Sequence, residues 1–506
     1  MDHDVIIVGG GTAGCVLARR LSEDPDRTVL LLEAGPDYPS IEQTPEEILS
    51  GKLPPMSHDW GYIEAGRSTT ESPVYLPRGK VIGGSSATNY AFAMRARPSD
   101  HDEWAAMGLT GWGFDDLLPL YREMETDPGG DDRWHGRDGL FRVARPGWGQ
   151  VAPTARAFAD ASRALGFPVV EDVNAPGQPG YGIVPRNAVD GVRENLAMTY
   201  LNPVRDRPNL QVRGDTLVDR VRVDSGRATG VLLDDGEEVS GHRVVLCSGA
   251  FNSPTILLRS GIGPRAELEP LGIEVVRDSP GVGQNLMEHP VFWNIHAANP
   301  TDHEASTIFE SCLSYRLRPD EPDYDLHLIP SSLMAAEDIP PQYVPPLREH
   351  PTGFDFVVFV ANMRPRSRGT VRLSSTDPAA APTIELNLYG DPWDAEIVAE
   401  GVKVARRLAR QPPFDGLLAG ERAPGLGVGD DELVDAVQRS VTHYNHPSGT
   451  CRMGPPGDPA TVVDPEGKVM GVKGLSVVDA SIIPVLPRVP INPTTVLIAE
   501  KLAATF

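Results

Sequence analysis

One short stretch near the amino terminus restricts the fold more than any other part of the chain. The apolar run at residues 5–8 leads into Gly9-Gly10-Gly11-Thr12-Ala13-Gly14, and a helical pattern and a second apolar run follow. This order of strand, glycine turn, helix and strand is typical of a dinucleotide-binding α/β unit. Gly9 forms the tight turn, Gly11 leaves room for a pyrophosphate, and Gly14 allows the helix to pack closely on the sheet. The open N–H groups at the start of the helix can bind phosphate charge.

An acidic residue ends the second strand of this unit. The apolar run at residues 29–32 leads to Glu33, which lies 33 − 14 = 19 residues after Gly14. An acid at this place accepts hydrogen bonds from ribose hydroxyls, and its charge repels a 2′-phosphate, so NADP is disfavoured. The alternative is a glycine-rich turn in an ordinary α/β fold, which leaves Glu33 unexplained.

Length and charge limit the classes of protein to consider. The chain has 506 residues and a formal net charge of −24. The length predicts two domains, and the negative charge disfavours nucleic acid and anionic membrane partners. Since no apolar run reaches about 18 residues, no membrane span is expected, and the first strand begins too near Met1 to leave room for a signal peptide. The four cysteines are scattered and form no CxxC pair. Cys15 and Cys247 lie in apolar or glycine-rich elements, which predicts packed thiols and a reducing compartment, the cytoplasm.

Several later blocks extend this pattern. Residues 78–89 form a second glycine cluster with small hydroxyl residues, which suits close approach to a cofactor but also fits a simple loop. Residues 101–190, rich in Trp, Gly and Pro, predict helices and loops outside the nucleotide fold. Residues 218–231 alternate like a hairpin. Between 244 and 263, a buried strand, a turn of small residues and a helix again suit a phosphate or the edge of a ring.

The region from 291 to 440 has a mixed pattern. Residues 324–328 and 354–360 read as strands, and residues 395–408 form an amphipathic helical pattern. We interpret this region as a sheet with helices that covers the nucleotide domain.

Four blocks in this order resemble the glucose–methanol–choline (GMC) oxidoreductase family of flavoenzymes. They are the nucleotide unit, residues 79–89 and 249–263, which are similar to the two family signatures, and the part of the chain from about His446 onward. Within the family, the chain is similar to the group of bacterial choline dehydrogenases, hydroxymethylfurfural oxidases and pyridoxine 4-oxidases. The region from 291 to 440 adds little to the resemblance, and it is where this family selects its substrates.

The resemblance implies an α/β fold built from two interleaved domains. One is a Rossmann-like FAD-binding domain of the p-hydroxybenzoate-hydroxylase type, expected over residues 1–100, 190–290 and 441–506. The other is an α+β substrate-binding or lid domain on an antiparallel sheet, expected over residues 101–189 and 291–440. No metal site is predicted, and the oligomeric state stays open.

The resemblance also implies FAD as the cofactor. Some members attach FAD covalently through a histidine just before the asparagine of the first signature, where this chain has Thr88, so non-covalent FAD is expected. The residues implied to bind FAD are Gly9, Gly11, Thr12, Ala13, Gly14, Glu33, Ala34, Gly79, Gly83, Gly84, Asn89, Tyr90, Ala91, Phe92, Val218, Asp479, Ala480, Asn492, Pro493 and Thr494.

The resemblance implies that the enzyme oxidises a small primary alcohol to the aldehyde and that His446 is the general base in this reaction. A neutral imidazole, with its pKa near ~6.5, can take the hydroxyl proton. Hydride then passes from the carbon to flavin N5, and O2 or another acceptor reoxidises the flavin. The alternative for His446 is a packed histidine at the end of a strand.

The residue that usually assists this histidine is missing. Most members have an asparagine or histidine 44 residues after the base, in an Asn-x-Asn stretch, but here 446 + 44 = 490 is Pro490 and only Asn492 remains. Proline has no side-chain donor or acceptor. Either His446 works alone or with another group, His443 and Asn445 being nearest in sequence, or the site is altered and turnover is weak. We favour the first reading.

Substrate choice is the least determined property. A hydroxymethyl-aromatic or pyridoxine-like alcohol is favoured, with a choline-type or sugar substrate as the alternative and a hydroxynitrile-lyase-like flavoprotein as an alternative class. Asn445, Phe309 and Glu310 are candidate substrate contacts, because choline-acting members place an aromatic residue and a carboxylate near the last two. For Glu310 a surface position is the alternative. His289 is expected near the pocket from its family position alone.

Overall fold

The computed structural model describes residues 2–65, 74–300, 307–335, 350–440 and 442–506. Two large sheets organise these residues, and helices pack against both. The α-helices span Thr12–Leu21, Glu46–Leu49, Pro98–Ala106, Phe114–Met124, Pro153–Ala164, Gly249–Arg259, Arg265–Leu268, Pro392–Ala409, Leu433–Arg439 and Asn492–Ala503. Short 3-10 turns lie at Gly84–Ser86, Asn202–Val204, Glu269–Leu271, Pro412–Phe414 and Ala480–Ile482, and a π-turn at Ala197–Leu201.

The first sheet, here called the parallel sheet, carries the amino-terminal strand at its centre. Its five parallel strands are, in order across the sheet, Leu210–Arg213, Val29–Leu32, the amino-terminal strand His3–Val8, Glu238–Leu246 and Leu475–Val477. The long strand Glu238–Leu246 also continues an antiparallel meander with Arg227–Leu233 and Val218–Asp224. The central strands are buried and almost wholly apolar, as expected for a parallel sheet covered on both faces.

The glycine turn joins this sheet to its first helix as predicted. Gly9 has φ +104°, and a Cβ there would lie 2.6 Å from the carbonyl oxygen of Cys247. A Cβ on Gly14 would lie 1.9 Å from the carbonyl oxygen of Gly9. Only glycine fits at these two positions, because the turn, the helix Thr12–Leu21 and the neighbouring strand pack against one another.

The second sheet, here called the antiparallel sheet, is built from later parts of the chain. Its main order is Leu418–Ala423, Pro290–Ala298, Phe354–Asn362, Leu326–Pro330, Ser311–Tyr315 and Tyr181–Ile183. Met334–Ala335 pairs with Phe354–Asn362, and Thr442–His443 pairs with Pro290–Ala298. The helix Pro392–Ala409 buries its apolar face against this sheet.

Among the described residues, five strand pairs lie outside the two large sheets. They are Tyr62–Ile63 with Tyr75–Leu76, Glu125–Thr126 with Phe141–Arg142, Ala188–Val189 with Val192–Arg193, Ile262–Gly263 with Arg277–Asp278, and Thr370–Arg372 with Thr383–Glu385. In the part of the chain that the structure describes, no helix is long and apolar enough to cross a membrane.

The structure confirms the predicted fold class and most of the predicted elements. The hairpin after residue 218, the strands near 324–328 and 354–360 and the helix near 395–408 are all present. Cys15 and Cys247 are buried free thiols, as predicted, and so are Cys312 and Cys451. The predicted domain limits stay a prediction, although the two sheets draw most of their strands from the segments assigned to each domain.

Candidate active site

A cavity of about 560 Å³ runs from the glycine turn of the parallel sheet to the inner face of the antiparallel sheet. It gathers residues that are hundreds of positions apart in the chain. The predicted site residues that line it are Gly9, Gly11, Thr12, Ala13, Glu33, Ala34, Gly79, Gly84, Asn89, Tyr90, Phe92, Val218, Phe309, Asn445, His446, Asp479, Ala480, Pro490 and Asn492. Thr88 lies in the same lining.

A smaller group of predicted residues lies outside the lining. Its members are Gly14, Gly83, Ala91, Glu310, Pro493 and Thr494. Gly14 shapes the turn through its contact with Gly9, so its contribution to a bound nucleotide is indirect.

Glu310 differs most clearly from its predicted role. Its carboxylate is buried and accepts a hydrogen bond from the backbone N–H of Ala152 at 2.6 Å, next to the start of the helix Pro153–Ala164. A carboxylate near a helix N-terminus is stabilised by the helix dipole. Phe309 lines the cavity, whereas Glu310 does not. The prediction that Glu310 holds a cationic headgroup is therefore not supported by its position.

The second glycine cluster packs directly on the first. A Cβ on Gly84 would lie 2.6 Å from the Cα of Gly11, and one on Gly79 would lie 2.5 Å from the backbone of Gly84. Two backbone segments without side chains therefore meet at one wall of the cavity. This close approach leaves no room for a side chain at Gly79 or Gly84.

Glu33 stands at the end of its strand with its carboxylate at the cavity. One oxygen accepts from the N–H of Gly10 at 2.8 Å and the other from the N–H of Gly35 at 2.9 Å. Burial raises the pKa of Glu33 to about 7, although these two N–H groups act in the opposite direction. The side chain is thus held in one orientation at the position expected for the ribose contact.

Two helix N-termini meet at the opposite wall. The hydroxyl of Thr12 donates to Oδ1 of Asn492 at 2.8 Å, which joins the helices Thr12–Leu21 and Asn492–Ala503. The Nδ2 group of Asn492 is buried and has no hydrogen-bond partner among the described residues. A buried amide donor without a partner costs roughly 1–3 kcal/mol unless a ligand accepts from it. Asn492 is therefore suited to a polar ligand in the cavity.

Asp479 connects the carboxy-terminal part of the chain to the same region. Its carboxylate accepts from the N–H of Gly249 at 2.8 Å, from the hydroxyl of Ser253 at 2.5 Å and from the N–H of Ser481 at 2.7 Å. Burial raises its pKa, which these donors oppose. The helix Gly249–Arg259 is thereby held against the cavity.

His446 is buried, with 7% of its surface exposed, and its imidazole lines the cavity. Its Nδ1 lies 3.0 Å from Nδ1 of His289, and the two rings are perpendicular with centroids 5.2 Å apart. The carboxylate of Glu288 accepts from the backbone N–H of His289 and from that of His446, both at 2.7 Å. Because Nδ1 faces His289, Nε2 is the nitrogen of His446 left for a ligand.

Both histidines are neutral at ordinary pH. Burial is the main reason that the pKa of His446 lies well below its usual value, and electrostatic interactions with His289 and Arg78 lower it further. Burial and the nearby His327 do the same for the pKa of His289. A neutral imidazole has a free lone pair, so His446 can accept a proton from a hydroxyl group in the cavity.

The two residues that sequence proximity suggested as partners of His446 are engaged elsewhere. The Nε2 of His443 lies 2.8 Å from the carbonyl oxygen of Tyr75, and its Nδ1 accepts from the N–H of Asn445 at 3.2 Å. The carbonyl of Asn445 accepts from the guanidinium of Arg78 at 3.0 Å. The polar contact to the ring of His446 comes instead from His289, 157 positions earlier, and Pro490 lines the cavity without a polar side chain.

An aromatic wall, defined here as Tyr90, Trp293, Phe309 and Phe359, forms the substrate side of the cavity. Ring centroids lie 5.2 Å apart for Tyr90 and Phe309, 4.6 Å for Phe309 and Phe359, and 4.5 Å for Trp293 and Phe359. Trp293 and Phe359 are cross-strand partners in the antiparallel sheet, so strand register creates this wall. The sequence predicted Tyr90 as a cofactor-binding residue and Phe309 as a substrate contact. It did not predict Trp293 and Phe359, because pairing of distant strands carries no local signal, and it did not predict Arg78.

The fold and the cavity together define a class of protein. A Rossmann-like unit supplies glycine turns, an acid at the ribose position and helix N-termini, which are the parts that bind a dinucleotide. A second sheet adds an apolar chamber with one neutral buried imidazole. This is the arrangement of a dinucleotide-dependent oxidoreductase with a separate substrate chamber.

Comparison with known proteins gives the family. A GMC oxidoreductase family model matches residues 3–291, and a second GMC oxidoreductase model matches residues 365–499. The chain therefore belongs to the GMC oxidoreductase family.

Individual relatives agree with this assignment. An oxygen-dependent choline dehydrogenase of Rhizobium etli is 35% identical over 99% of this chain and 95% of that protein. The crystal structure of pyridoxine 4-oxidase from Mesorbium loti superposes with a TM-score of 0.91 at 32% identity, covering 100% of this chain and 99% of that one. A formate oxidase of Aspergillus oryzae superposes with a TM-score of 0.87 at 26% identity, covering 99% of this chain and 97% of that one.

These findings make the protein an FAD-dependent alcohol oxidoreductase, with FAD bound non-covalently. The residues present fit this cofactor. The glycine turns offer a close backbone approach, and the buried Nδ2 of Asn492 needs an acceptor in the cavity. Thr88, which lines the cavity where some family members have a histidine that bonds covalently to FAD, has no imidazole to form that bond.

Proposed function

We propose that the protein oxidises a small primary alcohol, with a hydroxymethyl group on an aromatic body, to the aldehyde, and that His446 is the general base. The observation that carries this proposal is a single cavity that joins three parts: the glycine-lined nucleotide region, the neutral ring of His446 and the aromatic wall. An alcohol that stacks on the aromatic wall can present its hydroxyl to His446 at the side of the cofactor region.

The chemistry assigned to this chain's residues is proton removal and orientation. An alkoxide is a far better hydride donor than the alcohol, so removal of the hydroxyl proton by Nε2 of His446 activates the substrate. FAD supplies the hydride acceptor when it is bound. The aromatic wall keeps water away and fixes the orientation of the alcohol, which supports a productive geometry.

The lining of the cavity favours an aromatic alcohol over choline or a sugar. The aromatic wall, with Ile308, Ile329 and Met334 beside it, is apolar. The acidic residues in the described lining are Glu33, Asp59 and Asp479, which lie with the nucleotide-binding residues. Since Glu310 does not line the cavity, a quaternary ammonium in the aromatic chamber would be held by ring faces, and a sugar would leave several hydroxyls without partners.

An anaerobic reduction panel tests the proposal. The purified flavoprotein is mixed without oxygen with benzyl alcohol, a hydroxymethylpyridine, choline and glucose, and the visible absorbance of the oxidised flavin is followed. We expect fast bleaching with the two aromatic alcohols and little with choline or glucose. Benzyl methyl ether is the matched control, because it has the same aromatic body but no hydroxyl proton for His446 to remove.

Further outcomes of the panel decide between classes. Admission of air followed by a peroxide assay shows whether O2 or another acceptor reoxidises the flavin. Bleaching by choline alone would replace the proposed substrate class with a choline-type one. Cyanide release from a cyanohydrin with an unbleached flavin would overturn alcohol oxidation in favour of lyase chemistry.

A further inference from the structure

The position that usually assists the base is occupied by Pro490, which can neither donate nor accept through its side chain. Another group must therefore orient the ring of His446 if this ring is to act as a base. Among the described residues, the side chain within hydrogen-bond distance of that ring is His289, through the 3.0 Å contact between the two Nδ1 atoms. We infer that His289 is the positioning residue for His446 in this chain, in place of the partner that Pro490 cannot be.

This inference rests on the proposed function, in which His446 takes the alcohol proton. It adds a separate role for His289, which does not itself line the cavity. His289 acts through His446 and touches neither substrate nor cofactor region.

One buried carboxylate holds the two histidines in this arrangement. Glu288, 3% exposed, accepts the backbone N–H of His289 with one oxygen and that of His446 with the other. The strands Pro290–Ala298 and Thr442–His443, which follow and precede these residues, pair with each other. Two chain segments more than 150 residues apart are thereby locked at the distance that the contact between the rings requires.

The contact determines which nitrogen of His446 is free to act. Two nitrogens 3.0 Å apart share one proton, so one imidazole donates and the other accepts. If Nε2 of His446 is the base, its lone pair must be free, so the proton of His446 lies on Nδ1. Nδ1 of His289 then accepts the hydrogen bond, and His289 carries its own proton on Nε2.

A metal ion shared by Glu288, His289 and His446 is the rival explanation of the same group. It is disfavoured because both oxygens of Glu288 already accept backbone N–H groups. The separation of the ring nitrogens is that of a hydrogen bond.

Two substitutions at position 289 test the inference in the FAD-loaded enzyme. His289→Leu removes the acceptor, whereas His289→Asn keeps an oxygen close to the place of Nδ1. We expect His289→Leu to lower the limiting rate of flavin reduction by roughly tenfold or more, because a base in the wrong tautomer loses much of its contribution. His289→Asn should recover most of that rate. The substrate dissociation constant should change little in either variant, because His289 does not line the cavity.

The matched control is His327→Leu. His327, in the strand Leu326–Pro330 of the antiparallel sheet, is equally buried, and neither of its ring nitrogens has a hydrogen-bond partner among the described residues. Loss of this ring should leave the reduction rate within about threefold, which separates positioning from a general packing effect. FAD content and melting temperature are recorded for all three variants.

Two results would overturn the inference: full reduction activity in His289→Leu, or an equal loss in the leucine and asparagine variants. Stoichiometric metal in the active enzyme, with loss of activity on chelation, would favour the rival explanation. Failure of the proposed function is distinguishable, because then His446→Ala and wild type would reduce FAD equally with every alcohol, whatever stands at position 289.

Discussion

Two buried histidines in this protein differ in charge at neutral pH: one is neutral and the other is protonated. His446 is neutral, since burial and nearby positive groups hold its pKa well below the usual value. His135 is also fully buried, yet burial is outweighed there by hydrogen bonds to Asp127, Asp172 and Glu125, which raise its pKa to about 10. Burial alone therefore does not decide the charge of an imidazole in this fold.

The surroundings of His135 form a closed charge network. Its Nδ1 lies 2.7 Å from Glu125 and 3.1 Å from Asp127, and its Nε2 lies 2.7 Å from Asp172. Arg145 bridges Asp127 and Asp172, and Arg95 pairs with Glu125. With His135 protonated, three cations balance three carboxylates, so the network is neutral as a whole.

The difference between the two sites lies in what the carboxylates contact. Glu288 is as close to His446 as the acids are to His135, but both of its oxygens accept backbone N–H groups and neither contacts the ring. The ring of His446 faces another neutral imidazole instead. The same residue type is thus uncharged at one site and, at neutral pH, a cation that joins chain segments at the other.

The largest expected effect is on catalysis at the neutral site. His446→Ala should lower the rate of flavin reduction by two to four orders of magnitude, because it removes the proposed general base. The melting temperature should change little, since no charge network is broken. Stopped-flow reduction and thermal denaturation of the FAD-loaded variant measure both quantities. Near-normal reduction would remove His446 from the mechanism.

At the site of His135 we expect the opposite result: a loss of stability without a loss of activity. His135→Leu should lower the free energy of unfolding by roughly 3–5 kcal/mol, because it leaves buried carboxylates without their cation. The reduction rate of the protein that stays folded should match wild type. Denaturant unfolding gives the stability, and Arg133→Ala, which breaks an exposed ion pair with Asp131 nearby, should cause no measurable change. Equal stability of both variants would contradict a charged His135.

A smaller effect is expected in the pH dependence of stability. The pKa of His135 is about 10 in the folded protein against an ordinary 6.5, so its contribution is complete below about pH 6.5. That contribution is lost as the pH rises toward 10, at a slope of at most about 1.4 kcal/mol per pH unit. Wild type should therefore lose more stability than His135→Gln between pH 7 and 10. Parallel curves for the two proteins would show that His135 is neutral when folded.

The sequence by itself determined the nucleotide half of the protein. Gly9, Gly14 and Glu33 were predictable because a tight turn, a close helix contact and a ribose-facing acid each need one residue type at a fixed short spacing. The elements that surround them were found for the same reason, because their apolar periods are local.

Only the tertiary structure decided the substrate half and the two histidine sites. Glu310 was a candidate substrate contact from its family position, but its carboxylate accepts from the backbone N–H of Ala152, 158 residues earlier in the chain, and does not line the cavity. The contact of His289 with His446 spans 157 residues, and the network of His135 joins segments from residue 95 to residue 172. Such contacts depend on strand register and burial, and these arise only when distant segments pack together.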